Sequence, residues 1–271
     1  MRHLILIAAM LSAPAYAQDR IPSHCHAIAQ NDRVFDQERF WNAAFGAALD
    51  PDHVRTQYID HASFVIETPG GLTAVTDYNG YTGMRDWVPD VVTMNNAHIT
   101  HWSAYPDPRI PHVLEGWSDG VGPKEHALDL GEMLVRNTHT DVRSRSGGVR
   151  ENGNSVFVFE AAGLCIGHLG HLHHPPDDAQ YASIGRLDVV MVPVDGGYTM
   201  ATAEMAEVVR RFRSSIVIPM HWFSGASLEV FLDDMNGEFD VVRAGLSEIE
   251  LSLGDLPRQP VIMVLEPQSI D

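Results

Sequence analysis

A chain of 271 residues with 45% hydrophobic and 20% charged content has room for one large domain or two small ones and is too apolar to be disordered. Its formal net charge is −18, and Lys124 is its single lysine. With no basic stripe to meet a phosphate backbone, nucleic acid and anionic membrane surfaces are excluded as partners, whereas a small anionic substrate held at a metal is not.

The N-terminus reads as a targeting segment. Arg2 opens it, an apolar stretch runs from Leu4 to Leu11, and Ala15-Tyr16-Ala17 gives a small-residue cleavage pattern. The stretch is too short to span a bilayer. The expectation is a signal peptide over 1–17, a mature chain starting near Gln18, a periplasmic or secreted location and no membrane association after cleavage. Residues 18–52 read as an N-terminal extension. Within it "DQERFWNAAFGAALD" places Phe40, Trp41, Ala44, Phe45 and Ala48 near helical spacing. His24 and His26 flank Cys25, either as a surface metal patch or incidentally. Cys25 and Cys165 either pair, as export permits, or leave Cys165 a free buried thiol in its apolar run.

From Arg55 the texture changes. "RTQYID", "ASFVIET" and "LTAVTD" read as strands, with a turn at "PGG". "DVVTMN" is a strand that empties into a histidine-bearing loop. "EMLVRNTH" (132–139) reads as a strand ending in a histidine, and "NSVFVFEAAGLCIGH" (154–168) as a hairpin. "RLDVVMVPV" is a buried strand, "TMATAEMAEVVRRF" an amphipathic helix, and "SSIVIPMH" a strand ending in a histidine. A short helix, "SLEVFLDDM", and two strands, "DVVRAG" and "PVIMVLE", close the chain. An early meander followed by strand and helix alternation predicts an α+β fold of antiparallel sheets with helices outside, in one domain from residue 53 to 271.

Histidines gather at these strand ends: His61, His98, His101, His139, His168, His171 and His221. "GLCIGHLGHLHHPP" adds His173 and His174. Imidazole is the commonest zinc ligand and also suits copper and iron. Loops at strand ends are where such scaffolds carry chemistry.

At "DHASFVIET", "NNAHITH", "GNSVFVFEAAGLCIGHLGH", "VPVDGGYT" and "IPMHW" the sequence resembles the metallo-β-lactamase-fold hydrolases, nearest the branch of ascorbate-6-phosphate lactonase-like proteins. The resemblance covers Arg55 to Trp222. It implies an αββα sandwich, two mixed β-sheets flanked by helices, with a metal site along one sheet edge. It also implies the metal ligands: His98 and His101 match the second and last histidines of T-H-x-H-x-D-H, His139 the middle ligand and His221 the last. Asn96 and Thr100 stand where a histidine and an aspartate would be. His171 replaces the aspartate of H-x-G-D, whose histidine is His168. Asp77 matches an aspartate that is mainly structural.

All five candidate ligands, His98, His101, His139, His171 and His221, are neutral. Two dications lacking a bridging carboxylate would repel strongly, which favours one ion over two. Zinc is the first expectation for that ion, with copper, iron or manganese as alternatives. The usual aspartate base is missing, so His61 or His168 is expected to take the proton. The expected function is an exported metal-dependent hydrolase of a small ester, lactone or phosphoester. The alternatives are a metal-binding or sensing protein that has lost catalysis, and a redox site of copper or iron. Tyr198 either contacts substrate or only packs.

Overall fold

The structure, a computed structural model, describes residues 23–26, 45–144, 146–223, 225–243 and 245–270. The expected signal peptide lies outside them, as does most of the expected helix over 36–50; its last residues, 45–50, form a turn and irregular chain.

Two sheets face each other. The first has six strands: β1 (His53–Asp60), β2 (Ser63–Glu67), β3 (Thr73–Val75), β4 (Val91–Met94), β5 (His112–Glu115) and β13 (Glu248–Ser252). Their order is β13-β1-β2-β3-β4-β5, antiparallel as far as β3 and parallel from β3 to β5. The second has eight: β6 (Ala127–Asp129), β7 (Met133–Arg143), β8 (Val149–Ala161), β9 (Leu164–His168), β10 (Val189–Pro193), β11 (Ile216–Met220), β12 (Asp240–Arg243) and β14 (Val261–Val264). Their order is β12-β14-β11-β10-β9-β8-β7-β6, parallel from β12 to β9 and antiparallel from β9 to β6.

Side-chain alternation along the strands builds the layers. Phe64 and Ile66 of β2 meet Phe157, Phe159, Met191 and Ile218 between the sheets. Their neighbours Val156, Val158, Val190 and Val217 face the other way, onto α1 (Asp178–Ile184), α2 (Thr202–Phe212) and α3 (Ala226–Asp234). On the outer side of the first sheet, Val65, Val75 and Val92 are covered by loops bearing Trp87, Trp102 and Trp117. Buried Arg55 in β1 fixes register there, bonding Glu67 at 2.5 Å and Glu250 at 2.6 Å, its partners on the two flanking strands.

Cys25 and Cys165 pair, with a Cα separation of 5.8 Å. This resolves the open alternative and ties residues 23–26 to β9. Glu160 anchors the same segment, accepting from Ser23 Oγ at 2.6 Å and from His24 N at 3.0 Å. His24 and His26 do not form a metal patch with thiolates, since both sulfurs are bonded; their rings reach the Leu164 and Ser183 carbonyls instead.

Candidate metal centre

The strand directions put five loops at one edge. Parallel strands β3, β4, β9, β10 and β11 end at Asp77, at residues 95–101, at residues 168–171, at Asp195 and at His221. The β1–β2 turn contributes His61 from the facing sheet. Carboxyl ends of parallel strands are the usual place for a site in such sheets. Three of these residues hold left-handed backbone: His61 (φ 42°), Asp77 (φ 46°) and His221 (φ 62°). A non-glycine residue pays for that conformation, and such strain concentrates where function needs it. The His61 carbonyl is fixed by two donors, Tyr58 Oη at 2.6 Å within its own sheet and His221 N at 2.8 Å, which joins the two sheets at the centre.

His61, His101 and His221 each offer a ligand atom, and these atoms lie within 4.8 Å of one another. Behind two of the rings stand carboxylates. His101 Nδ1 donates to Asp77 Oδ2 at 2.7 Å, and Asp77 Oδ1 accepts from Asn95 N at 3.0 Å. His221 Nδ1 lies 2.8 Å from Asp195 Oδ2. Asp195 is itself fixed by the backbone N–H groups of Gly197, Tyr198 and Thr199 and by the Thr199 hydroxyl. Burial pushes both carboxyls upward, but their imidazole and N–H partners outweigh it, so both are held below the ordinary carboxylate range. The Asp77 hydrogen bond places the His101 proton on Nδ1 and turns its Nε2 lone pair outward; at His221 the Asp195 carboxylate, near Nδ1 but outside hydrogen-bond geometry, favours the same tautomer through its charge.

The consequence is direct. Nε2 of His101 and Nε2 of His221 face each other at 3.2 Å. Two lone pairs at that distance repel unless a cation lies against both. Two nitrogens bound to one tetrahedral zinc at about 2.0–2.1 Å are roughly 3.3 Å apart. One proton would satisfy the pair; the third imidazole, His61, adds a donor that a proton does not use. The donor set therefore fits a metal ion.

His171 borders this trio, its ring 4.6 Å from His101 and 5.5 Å from His221. Its Nδ1 is buried without a hydrogen-bond partner, a state native proteins seldom leave unexplained. Gly170 lets the loop come close: at φ 59°, an added Cβ would lie 2.4 Å from Asn95 Nδ2. His98 stacks on His171 at 5.4 Å and bonds Thr100 Oγ1 through Nδ1 at 3.1 Å. His61, His98, His171 and His221 line a cleft of about 980 Å³.

Two expected site residues belong elsewhere. His139 does not end its strand, because β7 continues to Arg143. Its ring is held beside Ser155 Oγ at 3.2 Å and Asn137 Nδ2 at 3.4 Å, away from the cluster. His168 is fully buried. Its Nε2 donates to the Ala62 carbonyl at 2.7 Å, and its Nδ1 accepts from Asn95 Nδ2 and Gly170 N. Both nitrogens are used, so His168 clamps the two sheets together and is not the base. His61, expected as a base, lies with a ring nitrogen within 4.8 Å of those of His101 and His221. Asp195 went unread as a site residue, since an aspartate before Gly-Gly looks like a turn; its position at the end of a buried strand was the available signal.

Burial, then the His221 and His101 charges, lowers the His61 imidazole to about 3. Burial and Arg143 lower His173 to about 4. The unfolded chain, with ordinary values near 6.5, binds these protons first as pH falls. Their stability contribution is therefore complete above pH 6.5 and is lost progressively between 6.5 and about 3. The melting temperature of chelator-treated protein is expected to fall across that window; a flat profile would contradict it.

A family model described as the beta-lactamase superfamily domain matches residues 55–221, more than half of the chain. The chain belongs to that superfamily. Among its relatives is a UPF0173 protein of Pyrococcus furiosus, 25% identical over 192 residues, covering 65% of this chain and 87% of that protein. A UPF0173 metal-dependent hydrolase of Methanospirillum hungatei is 23% identical over 228 residues, covering 79% and 96%. A Thermotoga maritima structure, assigned as a Zn-dependent hydrolase of the metallo-beta-lactamase superfamily, aligns with a TM-score of 0.56 at 26% identity. It covers 79% of this chain and all of that one. A Parabacteroides distasonis structure, at 12% identity and a TM-score of 0.55, shares the fold, covering 79% and 94%. Together these bear out the expected superfamily and sandwich. The lactonase-like branch is a narrower placement that rests on the motifs alone.

Proposed function

We propose that this chain is an exported metal-dependent hydrolase of a small ester, lactone or phosphoester. One divalent ion, zinc first, would be held by His61, His101 and His221, with His171 as the adjacent fourth donor. The 3.2 Å approach of His101 Nε2 and His221 Nε2, each with a carboxylate behind its ring, carries this reading. The hydrolase names of the relatives support it. When bound, such an ion supplies a Lewis acid and brings a water toward neutral pKa. The chain's own residues do the rest. Asp77 and Asp195 lock the two rings and raise their basicity. His98, in the cleft wall with its ring 5.8 Å from His101, stands where Thr100 offers no carboxylate, and is the imidazole placed to accept the proton. The leader pattern and the Cys25–Cys165 bond support export, because disulfides persist in oxidising compartments.

A redox role is the second reading, favoured by the donor chemistry: three imidazoles with no carboxylate donor suit copper as well as zinc. A panel of chromogenic esters, lactones and phosphodiesters, assayed with one added metal at a time, tests the first reading. Zinc-dependent turnover on one class is expected. Asp195→Asn should weaken metal affinity by about 10–100-fold. Silence across the panel together with a visible charge-transfer band on adding copper would replace hydrolysis by the second reading.

A further inference from the structure

Among the described residues several arginines are matched by carboxylates, as Arg55 is by Glu67 and Arg136 by Glu160. Arg143 and Arg150 differ. They stand on adjacent strands at the tip of the β7–β8 hairpin, where Arg143 is paired with Val149 and Val142 with Arg150. Both line the cleft, and among the described residues no aspartate or glutamate lines it beside them. Among the described residues neither meets a carboxylate. Arg143 Nη2 donates to the carbonyls of Gly197, Tyr198 and Thr199. Arg150 Nη2 donates to Asn96 Oδ1 and to the Gly153 carbonyl, both at 3.2 Å. These contacts fall on one terminal nitrogen of a group that has five N–H donors, so each head is oriented while most of its donors remain. In a chain of net charge −18, two such cations at the site's mouth are a local reversal of sign.

The hairpin adjoins the histidines. Arg143 N donates to His173 Nδ1 at 2.8 Å, and the His173 ring is 4.7 Å from His171. Apolar side chains line the cleft as well. Ile99, Tyr198 and Phe223 are 79%, 72% and 63% exposed, yet all three line the same cleft. Tyr198 and Phe223 meet edge to face at 5.6 Å, and Phe223 is 5.2 Å from His61 and 5.3 Å from His221. Guanidinium groups, imidazoles and exposed apolar side chains thus share one cleft.

We infer that Arg143 and Arg150 select substrates bearing an oxyanion, carboxylate or phosphate, while Ile99, Tyr198 and Phe223 receive an apolar group of the same substrate. This rests on the hydrolase reading above, for the substrate only; the anion site stands without it. A guanidinium fork is suited to both oxyanions.

Two measurements test it. The first compares kcat/KM for 4-nitrophenyl hydrogen adipate and 4-nitrophenyl hexanoate, which differ by a terminal carboxylate. The zinc-loaded wild type is expected to prefer the adipate by about tenfold or more, a single charge-assisted contact being worth that much. Arg150→Glu should erase or invert the preference through KM, and Arg150→Lys should restore part of it. The second titrates chelator-treated protein with phenylphosphonate and with benzoate by calorimetry. Salt-sensitive binding of either, lost in Arg150→Glu, supports the site and names the preferred head. If both esters are untouched while that binding holds, the hydrolase reading fails and the anion site survives. An unchanged ester ratio in Arg150→Glu, with equal binding in both proteins, overturns the inference.

Discussion

His221→Asn is expected to abolish stoichiometric metal binding and to lower turnover by about 10³-fold, since several kcal/mol of charge stabilisation at 1.36 kcal/mol per decade disappear with the ion. Asparagine is chosen because His221 sits at φ 62°, a region that Asn tolerates better than most residues. It keeps the backbone hydrogen bond from His221 N to the His61 carbonyl while removing the nitrogen that faces His101. An alanine there would confound lost ligation with backbone strain. Circular dichroism and melting curves separate the two effects: the fold should persist and only the metal-dependent part of the stability should go. A variant with full metal content would show that the 3.2 Å nitrogen pair is bridged by a proton alone.

Removing the disulfide has the second large effect. Cys25 and Cys165 are 140 residues apart in sequence, and closing so long a loop restricts the unfolded chain by an amount that chain-entropy arguments put near 4–5 kcal/mol. The Cys25→Ser/Cys165→Ser double variant should lose about 2–5 kcal/mol. For a chain of this size that is a fall of roughly 5–15 °C in melting temperature. The segment has other anchors: Ser23 and His24 bind Glu160, and the Cys25 carbonyl accepts from Arg186 N at 2.8 Å. Metal binding at 25 °C should therefore survive. Calorimetric scans of oxidised and reduced wild type give the same comparison without mutation, and coincident transitions would contradict it.

Much of this fold was legible because its buried strands are short apolar runs bounded by turns. β2, β10 and β11 are buried along their whole length, and the motifs they carry resemble one superfamily. β5 and β6 were not read. β5 is a partly exposed edge strand in a proline-rich stretch, and β6 has three residues, so neither carries a strong pattern. β13 is likewise absent from the sequence reading, although it alternates through Ile249 and Leu251; it pairs back to β1, a contact of long sequence separation that no local signal announces.

The candidate site was legible to the extent that strand ends could be located. His101 and His221 follow parallel strands and converge. His139 failed because β7 extends four residues past it, through a bulge between Thr140 and Val142. Its hairpin partner β8 sets that length, and composition at residue 139 does not show it. His168 failed for a different reason: the last residue of β9 points between the sheets, where the Ala62 carbonyl is its acceptor. His61 is read from sequence as a base; its distance to His101 and His221 is a property of the fold that no local signal carries.

Metal content separates these assignments most directly. Protein purified without a metal-binding tag, loaded with zinc and dialysed, should carry one ion per chain by elemental analysis. His101→Ala and His221→Asn should carry none, and His139→Ala should carry the full ion. Retention of zinc by the His101 and His221 variants, or its loss from the His139 variant, would contradict a centre built on His61, His101 and His221.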